Sequence, residues 1–295
     1  MQRERVADDI YVFTSELYAQ VTAGAVITPE GAILIDTLVF PEEARAIRNF
    51  LENRLDCPVR YIINTHYHAD HTYGTCFFPG AQVVAHARCY ELLDTRGRAG
   101  LHAAQQSTSE LRDIRIVLPH LVFDTGAMMV HLGNKTVEMW HSPGHSPDSI
   151  VCLVKEDRVL FAADTLMPLP YFVDGNYDDF IASLNALRNG GYENVVQGHG
   201  EVVLRGEVED VIQDNLSYLV TIRRRVEQIV DKNLPVETLD DIALEECGKS
   251  RIPLNGLVLE LHQANLHALY DELLARRLER HSPKIFSLPR GEGVL

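Results

Sequence analysis

His66-Tyr67-His68-Ala69-Asp70-His71 packs four potential metal ligands into six residues. One tetrahedral ion cannot easily take so many neighbours pointing in different directions. The segment suits two ions, with His66 and His68 on one and Asp70 and His71 on the other. Three later residues in favourable settings complete the set: His145 in Ser-Pro-Gly-His-Ser-Pro, Asp164 in Phe-Ala-Ala-Asp-Thr and His199 in Gln-Gly-His-Gly. Imidazole is a good zinc ligand, and a carboxylate oxygen suits a bridge between two divalent ions. Ions roughly 3.5–4 Å apart lower the pKa of a shared water from near 16 toward 7. The set therefore points to hydrolysis by activated water, with no need for a serine or cysteine nucleophile. Asp70 is expected to act both as ligand and as the acceptor that orients the nucleophile.

These side chains need strand ends to carry them. Residues 10–14, 21–28 and 32–36 have strand patterns, the last two divided by Pro29-Glu30-Gly31. Residues 41–55 show a helical period with Ala44, Ile47 and Leu51 on one face, and Pro41 near the start. Residues 59–64 then form a fully buried strand that delivers Thr65-His66. A strand at 82–85 and a helix to about 94 follow, and residues 96–119 read as a loop with broken helix. Further strands are expected at 122–123, 128–132 and 136–140, a hairpin over 149–162, a helix over 178–188 and a strand at 194–197 that ends at His199. Asp36-Thr37-Leu38 and Asp164-Thr165-Leu166 each follow a strand and precede a helix, a strand and a histidine. That echo suggests two similar halves facing each other.

From residue 207 the pattern becomes helical, over 208–230 and 254–278. The chain thus divides into a metal-binding catalytic domain (1–206) and a helical extension (207–295) covering the active-site side. The tail after His281 reads as frayed. With 295 residues, 46% of them hydrophobic, the chain can bury a large core. A formal charge of −15 argues against a general nucleic-acid or anionic-membrane surface. Five cysteines without a Cys-x-x-Cys pair read as reduced thiols. No signal-like stretch or apolar run of spanning length stands out, so a cytoplasmic protein with no membrane partner is expected. A homodimer through the helices is open, with no heptad pattern behind it.

Together the motif residues resemble the metallo-β-lactamase superfamily, whose fold is an αββα four-layer sandwich of α/β class with metals at the sheet ends. Thr-His-Tyr-His-Ala-Asp-His at 65–71 is similar to its His-x-His-x-Asp-His signature. His145, Asp164 and His199 match its later ligands, Asp36 its early aspartate, and the resemblance covers roughly residues 10–205. It implies metal one on His66, His68 and His145, metal two on Asp70, His71 and His199, and Asp164 bridging both beside a water or hydroxide. It implies zinc first, with iron or manganese as alternatives. A bridging Asp164 points to the glyoxalase II and lactonase-like branch, since true β-lactamases of the superfamily lack it. The expected substrate is a small ester, thioester or lactone. Two departures stand out. Tyr73 replaces a glycine after the motif and is expected to alter the turn or narrow the pocket. Met167 stands where similar lactonases place a tyrosine.

Other histidines carry blander readings. His141 is expected to make a hydrogen bond near the site, and His86, His102, His120 and His131 to have core or surface roles. Tyr171, Phe172 and Tyr177 lie in a loop beside the expected entrance, with ordinary packing favoured. At most one of His262 and His267 is expected to face the site. Asp36 supports a ligand histidine or caps a turn. The competing class is a mononuclear iron sulfur-oxygenase of the persulfide dioxygenase kind, similar at His66, His68, His145 and Asp164. Nucleic-acid processing is disfavoured by the charge.

Overall fold

All five residues of strand β4 (Gly31–Ile35) are buried, because the strand has a core on each face. Ile33 and Ile35 point into one apolar cluster, while Ala32 and Leu34 point into another. The second sheet has a counterpart in β10 (Ile150–Val154) and β11 (Val159–Ala163), also buried throughout. In the computed structural model, residues 1–281 are described; the tail read as frayed lies outside the described residues.

Sheet one runs β1-β2-β3-β4-β5-β6-β7. Its other strands are β1 (Gln2–Ala7), β2 (Ile10–Thr14), β3 (Thr22–Thr28), β5 (Val59–Ile63), β6 (Gln82–His86) and β7 (Leu121–Phe123). Sheet two runs β13-β12-β11-β10-β9-β8, with β8 (Ala127–Leu132), β9 (Lys135–His141), β12 (Asn194–Gln197) and β13 (Val202–Leu204). Ile33, Ile35, Ile63 and Val84 of the first sheet pack against Met139, Ile150, Cys152 and Phe161 of the second. Helix α1 (Pro41–Arg48), prolonged by π-type turns over Asn49–Arg54, covers the outer face of sheet one through Ala44, Ile47 and Leu51. A short α2 (Ala69–Thr72) follows the histidine motif, and α3 (Ala87–Leu92) and α4 (Arg98–Ser107) lie between β6 and β7. Helices α5 (Tyr177–Leu187), α6 (Val208–Asp231) and α7 (Val258–His281) cover sheet two. The layers are helix, sheet, sheet, helix: a mixed α/β sandwich with a C-terminal helical region.

The Asp-Thr-Leu echo has a topological basis. In each sheet an antiparallel hairpin (β3–β4, β10–β11) leads to a helix and back to a parallel neighbour (β5, β12). Asp36 and Asp164 therefore sit just past β4 and β11, and His66 and His199 just past β5 and β12. Hydrogen bonds stitch the two sheets together at this end, from the Thr22 amide to the Gly198 carbonyl and from the Ile150 amide to the Thr65 carbonyl, both 2.9 Å.

Three expectations need correcting. The 59–64 strand is not fully buried: Arg60 is exposed and Tyr61 half-buried. Arg60 sits where β5 enters the sheet and donates through Nε to the Glu30 carbonyl. Residues 98–107 form a regular helix where a loop with broken helix was expected; Leu101 is its one buried residue, which leaves little apolar period to read. β1 and β13 had no strand signal. β1 is an exposed edge strand of alternating charge, paired only with β2, and such charges protect sheet edges from further pairing. All five cysteines are unpaired, four of them buried. Among the described residues no helix is long and apolar enough to cross a membrane.

Candidate metal centre

The motif sits on the turn out of β5. His66 leaves the strand, His68 precedes α2, and Asp70 and His71 lie in its single turn. Gly74 lets this turn approach the neighbouring loop, since a Cβ there would meet the Thr37 carbonyl oxygen at 2.0 Å. His145, Asp164 and His199 arrive from sheet two, so all seven predicted residues converge. Ligand atoms fall into three overlapping groups, each within 4.8 Å: His66, His68 and His145; His66, His71 and Asp164; Asp70, His71 and His199.

Hydrogen bonding determines which way each imidazole faces. His145 Nδ1 donates to the Tyr171 carbonyl at 2.7 Å and His199 Nδ1 to the Ala19 carbonyl at 2.9 Å. His71 Nδ1 donates to Asp36 Oδ2 at 2.8 Å. The Thr65 hydroxyl gives its one proton to Asp36 at 2.7 Å, so it accepts from His66 Nδ1 at 3.1 Å. His68 is reversed: Nε2 faces Asp174 Oδ2 at 3.2 Å, leaving Nδ1 toward the centre. Asp174 is itself held by the Tyr67 hydroxyl at 2.6 Å and by Arg96 at 2.8 Å. With each outer nitrogen assigned as the donor, each inner nitrogen carries a lone pair.

With the rings neutral, as metal ligation requires, the inner atoms are all acceptors. His68 Nδ1 lies 3.1 Å from His66 Nε2 and 2.9 Å from His145 Nε2. Asp164 reaches both sides, with Oδ2 3.2 Å from His145 Nε2 and 3.5 Å from His199 Nε2, and Oδ1 3.3 Å from His71 Nε2. Asp70 Oδ2 lies 3.3 Å from His199 Nε2. Among the described residues the buried atoms His71 Nε2 and Asp164 Oδ1 have no hydrogen-bond partner. Lone pairs aimed at one another repel, and only protons or cations between them satisfy such a group. The donor set, five imidazoles and two carboxylates, fits borderline divalent ions.

Electrostatics divides the centre. Burial opposes charge on His71 and His199, but Asp164 and Asp70 outweigh it; His71 is raised well above the ordinary range and His199 to about 10. On the other side burial dominates, lowering His145 to about 4 and His66 well below its usual value. Burial would raise both Asp70 and Asp164, yet His71 and His199 hold each below the ordinary carboxylate range. A pocket that retains protons this tightly has the field to retain cations.

Residues outside the motif behave variously. Asp36 supports His71, one of the two roles expected for it. Tyr73 does not narrow the pocket: it is buried among Val39, Leu101 and Ile114 on the far side of the turn. Tyr171 and Met167 line the cavity over the centre. Tyr177 instead packs edge-on to Phe172, with Arg223 over its ring. Neither His262 nor His267 lines the cavity; His262 is bonded to Tyr218 and the Ile242 carbonyl, and His267 is exposed. His141 hydrogen-bonds the Pro147 carbonyl and stacks on His86. Tyr18, Asp174, Leu254, Leu257 and Leu261 were not found in advance, because no motif marks a residue that reaches the site only by tertiary packing.

Comparison with known proteins agrees with this geometry. A linear primary-alkylsulfatase from Pseudomonas sp. is 25% identical over 256 residues, covering 73% of this chain and 48% of that protein. A thioesterase from Emericella nidulans is 25% identical over 176 residues, covering 58% and 43%. The chain thus spans about half the length of the curated relatives it matches. Among solved structures, an inverting sec-alkylsulfatase from Pseudomonas sp. superposes with a TM-score of 0.72 at 18% identity, over 92% of this chain and 50% of that one. A metallo-beta-lactamase from Pontibacter korlensis gives 0.60 at 19% identity, over 72% and 98%. These structural likenesses concern the fold. The model of the metallo-beta-lactamase superfamily matches residues 19–199, a span that holds all seven converging side chains, and the chain belongs to that family.

Proposed function

We propose that this protein is a hydrolase dependent on two divalent ions, zinc being the expected metal, and that it acts on the carbonyl of a small ester, thioester or lactone. The observation that carries this reading is the ring of mutually facing acceptors, whose overlapping triads offer two adjoining cation positions. His66, His68 and His145 would hold one ion, Asp70, His71 and His199 the other, with Asp164 shared. Bound there, such ions supply Lewis acidity and a water acidified toward neutrality.

The chain's own contribution is orientation and proton handling. Asp36, Asp174 and the Ala19 and Tyr171 carbonyls lock the imidazoles with their inner nitrogens aimed at the centre. Asp70 is the less buried carboxylate, its side chain 17% exposed against 4% for Asp164. It also lines the cavity; with Oδ2 turned toward the ligand histidines, its other oxygen is the acceptor left to orient a nucleophilic water and take its proton. Asp164 also borders the cavity, but it is more buried and faces His71, His145 and His199, which suits a holding role. A shared aspartate favours acyl substrates over antibiotics, given the branch of the superfamily that this chain resembles. A cavity of about 270 Å³ over the centre suits a small-molecule substrate.

Elemental analysis of purified protein, followed by turnover of thioesters, lactones and phosphoesters, tests the reading. About two zinc ions per chain and chelator-sensitive acyl hydrolysis are expected. His68→Ala should fold with much less metal and negligible activity, and Asp164→Ala should lose the second ion more readily than the first. One iron per chain with oxygen uptake on a persulfide would replace this reading with the oxygenase one. Full activity and unchanged metal content in His68→Ala would remove the site altogether.

A further inference from the structure

The metal chemistry leaves one wall of the cavity unexplained. Besides the metal-facing residues, the cavity is lined by Tyr18, Met167, Tyr171, Leu254, Leu257 and Leu261. The leucines come from an unusual turn. Leu254 and Asn255 both have φ of 55°, and Gly256 follows at 89°. Two consecutive non-glycine residues in the left-handed region are disfavoured and persist only where surrounding structure holds them. Here the turn buries Leu254 in the helical core at 2% exposure, while Ile252 two residues earlier is 80% exposed. The chain then enters α7 with Leu257 and Leu261 one turn apart on a shared face, the Leu261 amide donating to the Leu257 carbonyl.

What the lining lacks is as specific as what it has. Among the described residues no lysine or arginine lines this cavity, whereas Asp70 and Asp164 both do. Arg96 is tied to Asp174 with its side chain 58% exposed. A sulfate or phosphate headgroup would have only the bound ions to pair with here, without the fixed arginines whose planar paired donors many anion sites add. The polar groups on this wall are the phenols of Tyr18 and Tyr171, and among the described residues neither hydroxyl has a hydrogen-bond partner. A phenol donates well to a neutral carbonyl oxygen.

We infer that the cavity takes a neutral acyl compound whose apolar arm lies on Leu254, Leu257 and Leu261, and that sulfate and phosphate esters, whose charge only the ions themselves would counter, are the poorer substrates. This rests on the hydrolase reading above and narrows it. It also separates this chain from the relatives that are named alkylsulfatases. The cavity volume of 270 Å³ amounts to about nine water-sized volumes at ~30 Å³ each. The part of the compound inside the cavity is therefore limited to roughly that many heavy atoms.

The test uses the full metal-loaded chain and a series of p-nitrophenyl esters from acetyl to decanoyl, beside alkyl sulfates of matching length. kcat/KM should rise about fourfold per methylene, the factor for one buried CH₂, and level off once the arm fills the cavity. Alkyl sulfates should turn over much more slowly than the esters. Leu257→Ser should flatten that rise and Leu257→Met should keep it. Both are compatible with folding, because Leu257 is half-buried. Ester turnover with no dependence on chain length, or alkyl sulfate cleavage at a comparable rate, overturns the inference and leaves the hydrolase reading intact. No turnover of any carbonyl substrate by protein carrying its metals overturns the hydrolase reading, and this inference with it.

Discussion

Each histidine of the centre has one nitrogen committed before any ion arrives. The outer nitrogens are paired with Asp36, Asp174, Thr65 or a backbone carbonyl, so rotating a ring costs a hydrogen bond as well as a clash. In the ion-free chain His71 and His199 are raised above their ordinary value by Asp164 and Asp70, against the effect of burial. The sign of the stability effect follows. Stabilisation from these two protonated rings is complete below about pH 6.5 and is lost as pH rises, for His199 through about 10. Ligation needs the neutral ring, and a shared water acidified toward neutrality gives up one proton more, so metal loading near pH 8 should release about three protons per chain. Titration calorimetry in buffers of different ionisation enthalpy measures this directly. Release of about one proton, from the water alone, would mean that the two rings are already neutral, and the charge division described for the centre would be wrong.

The ligands hold their places because strands end where they do. Asp164 follows β11 and His199 follows β12, and Gly198 lies where the two ends touch. Its amide donates to the Ala163 carbonyl at 2.8 Å, and a Cβ at this position would stand 1.8 Å from Asp164 Oδ1. No rotamer of a larger residue relieves a clash made by Cβ itself. Gly198→Ala should therefore displace Asp164 and leave about one ion per chain, with activity down by roughly two orders of magnitude or more, while far-UV circular dichroism stays unchanged. Normal metal content in that variant would show that Asp164 has freedom to move. Most strands were legible because residues such as Ile33, Leu34 and Ile35 are buried on both faces and read as apolar runs. β1 was not, since Gln2, Arg3, Glu4 and Arg5 lie exposed on an edge where pairing is made by backbone alone.

The helices after residue 206 do more than cover one side. Val151, Leu160, Phe180, Leu184, Leu219, Ile222, Leu266 and Leu269 belong to one buried cluster drawn from sheet two, α5, α6 and α7. Removing the last two helices would expose sheet-two and α5 side chains worth about 1.5–3 kcal/mol each. Losing cover on four of them is comparable to the whole stability of an ordinary domain, about 5–15 kcal/mol. A fragment ending at residue 206 is therefore expected to be insoluble or molten, and to bind no metal with defined stoichiometry. A soluble fragment with sharp near-UV dichroism would show that the sandwich stands without the helices.

The chain order alone determined the ligand types and their pairing into a motif with three later partners, because metal chemistry restricts donors to a few side chains and the motif compresses them into adjacent positions. The strand, Asp-Thr-Leu, helix, strand echo was equally visible, since it depends on local periodicity. Asp174, Tyr18 and the leucines at 254, 257 and 261 were decided by the tertiary structure. They approach His68 or the cavity from segments more than 40 residues away from the motif on either side in sequence. Tyr73 shows the converse: next to the motif in sequence, it points to a separate core. A hydrogen bond to the outer nitrogen of a ligand needs only an oxygen in the right place. Many residues and any carbonyl can supply one, so only the folded chain determines which of them does.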